Sequence, residues 1–312
     1  MRRIVAVTGA TGFLGLHLVK ALAREGVLIR ILARRDPVHE FWAGIEYETV
    51  FGDIADAAAL ARLVAGADAV VHAAGVIAAR SRAEFLAVNR DGAEEMARVA
   101  RRVAPRARFI LVSTLAAREP RISDYAFSKR AGEEAVRGVY AGAEGQLVII
   151  RPPALYGPWD RATLPIFRAA GLPLVPVLSG GRVSVLHVAD AAGALAGLAM
   201  GAGEAGLFAL PGGDFLLREV MAAAALAQGR RARLVQVPAW VVRAAGVVAG
   251  LWGRLRGEVL VFSAGKAREL LHRDWVVRGD EALPGGVYWP RIGIGEGFGG
   301  TVAWYRARGW LR

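Results

Sequence analysis

TGATGFLG at residues 8–15 places glycines at 9, 12 and 15, directly after the apolar run IVAV at 4–7 and at the head of a helical stretch at about 13–25. The context matters more than the glycines, since a glycine turn can be only a turn. Between a strand and a helix, such a turn presents backbone N–H groups at a helix N-terminus, where the dipole favours an anion such as a pyrophosphate. The spacing is G-x-x-G-x-x-G, different from the G-x-G-x-x-G form. The same grammar repeats downstream. LIRIL at 28–32, YETV at 47–50, AVVHAA at 69–74, RFILVS at 108–113 and LVIIR at 147–151 alternate with helix candidates at about 56–65, 83–103 and 124–140. This predicts an α/β fold, a doubly wound parallel sheet with helices on both faces.

After Pro152 the grammar changes. Prolines cluster at 152, 153, 158, 165, 173 and 176, followed by VSVLHV at 183–188, LFAL at 207–210 and a tail rich in Trp and Arg. The expectation is a dinucleotide-binding domain over 1–154 and a smaller, interleaved substrate lobe over 155–312, with the strands near 183–188 and 206–210 returning to the main sheet. The 312 residues are 54% hydrophobic, enough for a full core. The net charge of +12 favours anionic partners. The arginines are scattered without a basic stripe or interleaved aromatics, so nucleic acid is not expected as a partner. The absence of cysteine excludes disulfides and thiolate catalysis, and the five histidines show no metal-ligand spacing. MRRIVAV at the start lacks a cleavage site and reads as a first strand. No apolar run reaches the roughly 20 residues of a membrane span, and a cytoplasmic protein is expected.

DYAFSKRAGEE at 124–134 sets Tyr125 and Lys129 four residues apart, on one face of a helix. Of 40 basic residues, only Lys20, Lys129 and Lys266 are not arginine, so position 129 calls for an ammonium. An ammonium is a compact charge that holds a hydroxyl and depresses a neighbouring phenol's pKa; a guanidinium spreads its charge over a planar fork. The bland reading is a tyrosine stacked on a solvated lysine stem.

Four further strand ends point to the same ligand. In ILARRDP at 31–37, Ala33 stands where dinucleotide folds carry a ribose-binding acid, followed by Arg34 and Arg35, which suit a 2′-phosphate and favour NADP(H); Asp36 keeps NAD(H) open. In GDIAD at 52–56, Asp53 can accept from an adenine amino group with Ile54 on the ring, or Asp53 or Asp56 can cap the next helix. HAAG at 72–75 and ST at 113–114 end strands in the ligand crevice of an open sheet.

Together with VNRDG at 88–92, RPPALYGP at 151–158, LHVAD at 186–190 and, more weakly, WYRARGWL at 304–311, these segments resemble the short-chain dehydrogenase/reductase superfamily in its extended, epimerase/dehydratase-like branch. The resemblance implies Tyr125 as general acid/base, Lys129 lowering its pKa and holding the nicotinamide ribose, and Thr114 as the catalytic hydroxyl. It places Gly9, Thr11, Gly12, Phe13, Leu14, Gly15, Arg34, Arg35, Asp53, Ile54, Ala73, Ala74 and Gly75 along the dinucleotide, and Pro152, Pro153 and Ala154 near the carboxamide. Asn89 would order the region, and His187 and Asp190 match a structural motif. A homodimer through the helices carrying Asn89 and Tyr125 is also implied.

Departures from the family pattern select the branch. Leu115 and Ala116 follow Thr114 where sugar-nucleotide dehydratases carry Asp-Glu, and Ala154, Arg118 and Glu119 replace residues of nucleotide-sugar epimerases. The expected activity is an NADP(H)-dependent oxidoreductase interconverting a ketone and a secondary alcohol on a bulky, lipid-like small molecule. The rivals are a nucleotide-sugar epimerase with retained NAD and a noncatalytic scaffold resembling the accessory subunit of respiratory complex I. PAWVVRAAGVVAGLWGRLRGE at 238–258 is apolar with Trp240, Trp252, Arg243, Arg254 and Arg256. It suits a membrane interface or a tunnel cover; an ordinary buried helix is the expectation, because a distinct polar face is hard to draw.

Overall fold

The computed structural model describes residues 2–178 and 180–311, apart from the side chain of Arg254. Chain contacts divide it into two units, the first formed by Met1–Pro152, Ala191–Leu210 and Glu281–Trp289, the second by Pro153–Asp190, Pro211–Asp280 and Pro290–Arg312.

In the first unit β1 (Ile4–Thr8), β2 (Leu28–Ala33), β3 (Glu48–Phe51), β4 (Ala69–His72), β5 (Arg108–Val112) and β6 (Leu147–Arg151) are parallel neighbours. Residues of β4 and β6 are buried throughout, as strands covered on both faces must be. The crossovers are α1 (Phe13–Arg24), α2 (Ala57–Val64), α3 (Arg82–Leu86), α4 (Gly92–Val103) and α5 (Asp124–Val139). The helix expected at 83–103 is interrupted by a π turn at Ala87–Asp91. Leu60, Leu63, Met96, Phe109 and Tyr140 form part of the core under these helices. Full burial of each such side chain contributes about 1.5–3 kcal/mol.

The chain then builds β7 (Ala154–Tyr156), α6 (Leu164–Ala170), β8 (Val175–Leu178), β9 (Arg182–His187) and α7 (Val188–Ala199), before β10 (Gly206–Ala209) pairs parallel with β6. The large sheet runs β10-β6-β5-β4-β1-β2-β3. Its order reverses between β4 and β1, the switch point where ligands bind beyond strand carboxyl ends.

In the second unit, β9 corrects one expectation. The strand at 183–188 does not return to the main sheet; β9 pairs with β7, with β11 (Gly213–Leu216) and with a short β13 (Asp274–Trp275). Val183 and Val185 of β9 are buried in a separate core of this unit, where Phe298 packs edge-on against Tyr156 at 4.7 Å and Phe167 at 5.0 Å. The unit also holds α8 (Leu217–Leu226), β12 (Leu234–Val237) paired with β8, α9 (Ala239–Arg256), α10 (Ala264–Leu271) and α11 (Ile294–Ala307). Among the described residues no helix is long and apolar enough to cross a membrane, and no cluster of His, Asp or Glu is arranged to hold a metal ion.

Candidate active site

The glycine turn is pressed against the end of β4. Gly9 has φ +72°, and a Cβ there would lie 2.6 Å from the backbone of Ala73 and Ala74. A Cβ at Gly15 would collide with the carbonyl of Gly9. Any side chain would therefore force the turn away from β4. No side chain caps α1 at Gly12, and its first turn holds no acid. Its leading N–H groups and the positive end of its dipole suit a dinucleotide pyrophosphate.

Beneath this turn, Thr8 Oγ1 and His72 Nδ1 are 2.8 Å apart, and the same hydroxyl accepts from Ala74 N–H at 3.3 Å. Burial, reinforced by the Lys129 charge, pushes the His72 imidazole down to about 3, so it stays neutral.

Helix α5 delivers the predicted pair. Ser123 Oγ accepts from Ala126 N–H at 3.0 Å, an N-cap that fixes where the helix starts and so puts Tyr125 in its first turn. Ser128, Lys129, Gly132 and Glu133 follow on the buried face. Lys129 Nζ donates to the Val112 carbonyl at the carboxyl end of β5, at 2.7 Å. A Cβ at Gly75 would stand 3.7 Å from that nitrogen and 2.9 Å from Asn89 Oδ1. Gly75 and Lys129 thus border the same space. Burial pulls the Lys129 ammonium down to about 8, opposed by the nearby Glu133 carboxylate. Tyr125 is half-buried, its ring centroid 6.2 Å from that of Phe85.

Asn89 orders this region through contacts beyond its own helix. Its Nδ2 donates to Val76 O at 3.0 Å and Ser128 Oγ at 2.9 Å, while Oδ1 accepts from Val76 N–H at 2.9 Å. The π turn brings Asn89 so close to α5 that a Cβ at Gly132 would strike its carbonyl. Of the two hydroxyls ending β5, Ser113 turns inward, donating to Glu133 Oε1 at 2.6 Å. Thr114 is half-buried, its Oγ1 accepting from Ala116 N–H at 3.3 Å.

Sequence reasoning missed the support beneath Lys129. Glu133 is wholly buried and paired with Arg151 of β6, Nε to Oε1 at 2.8 Å and Nη2 to Oε2 at 2.6 Å. Its signal was the four-residue step continuing from Tyr125 through Lys129 to Glu133.

The remaining residues are placed as follows. Arg34 and Arg35 are exposed just beyond β2, beside the end of β3, where Gly52 N–H donates to Ala33 O at 3.1 Å. Asp56 caps α2, accepting from Ala58 and Ala59 at 3.0 Å. Exposed Asp53 accepts from Ala55 N–H at 3.2 Å, and Ile54 packs toward Gly92. Pro152 O accepts from Leu115 N–H at 2.9 Å, whereas Ala154 belongs to β7 of the second unit. There Asp190 Oδ2 accepts from Arg291 and Ile292 N–H, a structural role. Arg118 pairs with Glu281 at 2.7 Å.

The chain matches the model of the NAD-dependent epimerase/dehydratase family over residues 5–200. It is 47% identical to a ceramide reductase of Caulobacter vibrioides, over 99% of this chain and 96% of that protein. It is 28% identical to a 4-hydroxy-2-methyl-3-oxo-4-farnesyl-3,4-dihydroquinoline-1-oxide ketoreductase of Stigmatella aurantiaca, over 88% and 89%. The dTDP-glucose 4,6-dehydratase of Bacillus anthracis, solved in complex with NAD, has the same fold, with TM-score 0.73 and 15% identity over 100% of this chain and 99% of that one. The glycine turn, the strand-end cradle and the matched family agree: the chain belongs to the NAD-dependent epimerase/dehydratase family and is an NAD(P)-dependent enzyme of the extended short-chain dehydrogenase/reductase type.

Proposed function

We propose that this protein is an NADP(H)-dependent reductase that converts a ketone on a ceramide-like lipid to the secondary alcohol. The observation that carries the reading is the 47% identity, over almost the whole of both chains, to a protein named ceramide reductase. The local chemistry agrees. Leu115 and Ala116 follow Thr114, so the stretch carries no acid there for elimination.

The nicotinamide, when bound, supplies the hydride. This chain's residues do the rest. Tyr125 gives its phenolic proton to the substrate oxygen, and Thr114 donates a hydrogen bond to the same oxygen. Lys129, anchored to Val112 O, keeps N–H groups for a ribose hydroxyl and lowers the phenol's pKa by its charge. Arg34 and Arg35 take a 2′-phosphate. The first unit holds the dinucleotide, the second supplies substrate-binding surface, and the chain dimerises through the helices carrying Asn89 and Tyr125.

The test supplies purified protein with NADPH deuterated at C4 and an N-acylated long-chain amino ketone in micelles. Deuterium at the carbinol carbon of the product, matched to NADPH consumed, is expected. Retained NAD+ with turnover of sugar nucleotides and none of the ketone would replace this reading with the epimerase.

A further inference from the structure

α9 turns its apolar side outward. On a helix advancing 100° per residue, Val242, Gly246 and Gly253 fall together and are buried. The inward side is tight: a Cβ at Gly246 would lie 2.7 Å from Ala267 Cβ and 2.9 Å from Ser263 O. The opposite arc carries Trp240, Val247, Val248, Leu251, Trp252 and Leu255, all exposed, with Trp240 at 70% and Leu255 at 83%. The expectation of an ordinary buried helix is therefore corrected. Among the described residues of the helix, the buried ones lie along one narrow side, rich in glycine.

The charges frame this arc. Arg243 lies along one edge and Arg256 along the other, its guanidinium 4.3 Å over the Trp252 ring. The helix contains no acid, and the next one, Glu258, lies beyond its end. Exposed apolar surface continues on both flanks, through Leu234 and Val235 of β12 and through Val259, Leu260 and Val261. Arg230, Arg231 and Arg233, just before β12, are also exposed. A second copy of this helix would bring arginines against arginines with no acid on either helix to pair them. Anionic headgroups meet the arginines while acyl chains accept the arc between them, the arrangement of a helix lying in a membrane surface.

We propose that α9 and its flanks seat this protein on the surface of an anionic lipid bilayer, the helix lying in the interface with Trp240, Leu251 and Leu255 inserted and Arg243 and Arg256 at the headgroups. Monotopic binding is the form open to it, since no described helix can cross. The proposal needs neither cofactor nor substrate, so its failure and the failure of the reductase reading are distinguishable.

The full chain is floated with phosphatidylcholine vesicles with and without phosphatidylglycerol, at low and high salt. Binding to the anionic vesicles, weakened by salt, is expected. L251S/L255S should lower partitioning at least about tenfold through lost apolar burial. R243Q/R256Q should lower it about tenfold on anionic vesicles and flatten the salt dependence. Circular dichroism and thermal unfolding check that both variants fold, as changes on an exposed arc allow. No flotation at low salt, equal binding to neutral vesicles, or unchanged binding by L251S/L255S would overturn the proposal. Sedimentation gives the remaining outcome: a dimer that L251S/L255S splits, without vesicle binding, would mean that a second copy covers the face.

Discussion

Glu133 and Arg151 meet as a two-point ion pair, 2.8 and 2.6 Å long, one helical turn beyond Lys129 and closed off from solvent. Removing one partner leaves the other charge buried alone, which costs about 3–5 kcal/mol. Glu133→Gln should lower stability by about that amount in denaturant unfolding. It should also lower the Lys129 pKa, because the carboxylate supports the ammonium. A change confined to stability, with the pH dependence of cofactor binding unmoved, would limit the pair to a structural role.

Lys129 carries its charge in the folded protein at a cost in stability. Its pKa in the folded protein is about 8, against 10.5 when free. Between those values the unfolded chain binds the extra proton, so stability rises with pH across that window and the ammonium is a burden at pH 7. Lys129→Met should abolish turnover yet stabilise the fold at pH 7 by about 1–3 kcal/mol, less about 1 for the bond to Val112. Unfolding curves at pH 7 and pH 10 check both the sign and the loss of the slope.

His72 carries an acid liability. It titrates near 6.5 when unfolded and about 3 when folded. Stability should fall as pH drops from 6.5 toward 3, by up to about 1.4 kcal/mol per pH unit from this group. His72→Asn should flatten that part of the stability profile. An unchanged slope would assign acid unfolding to the carboxylates.

Arg34 stands exposed beyond β2 without an acid at Ala33. Arg34→Ala should weaken NADPH about tenfold or more while changing NADH little, as loss of a phosphate-binding guanidinium requires. Titration by nicotinamide fluorescence measures both, and equal effects would remove the case for NADP.

Tyr125→Phe should reduce kcat at least about a hundredfold, the scale of a lost general acid, with cofactor affinity largely kept. Retained activity would transfer the proton to another group.

Much of the candidate site was legible because its signals are local. The glycine turn between strand and helix, the Tyr125 to Lys129 step and the hydroxyls ending β5 each follow from spacing within one element. What escaped lay between elements. Ser113 and Thr114 are adjacent just past the end of β5, yet Ser113 donates to Glu133 of α5 while Thr114 caps the turn that follows it, a difference set by which neighbour each meets. Glu133 and Arg151 are 18 residues apart and meet only once α5 is laid against β6. The strand at 183–188 read like a member of the main sheet, since a short apolar run does not name its partner.

By itself the sequence determined the class of sheet and the kind of cofactor, and it set Tyr125 and Lys129 one turn apart on a single helix, because periodicity and turn chemistry act over a few residues. Only the tertiary structure decided which charges are buried together and which way α9 faces. Apolar residues surround that helix almost completely in sequence, and their number cannot say which of them find a neighbour; packing against α10 consumed the glycine side and left the tryptophans and leucines outside.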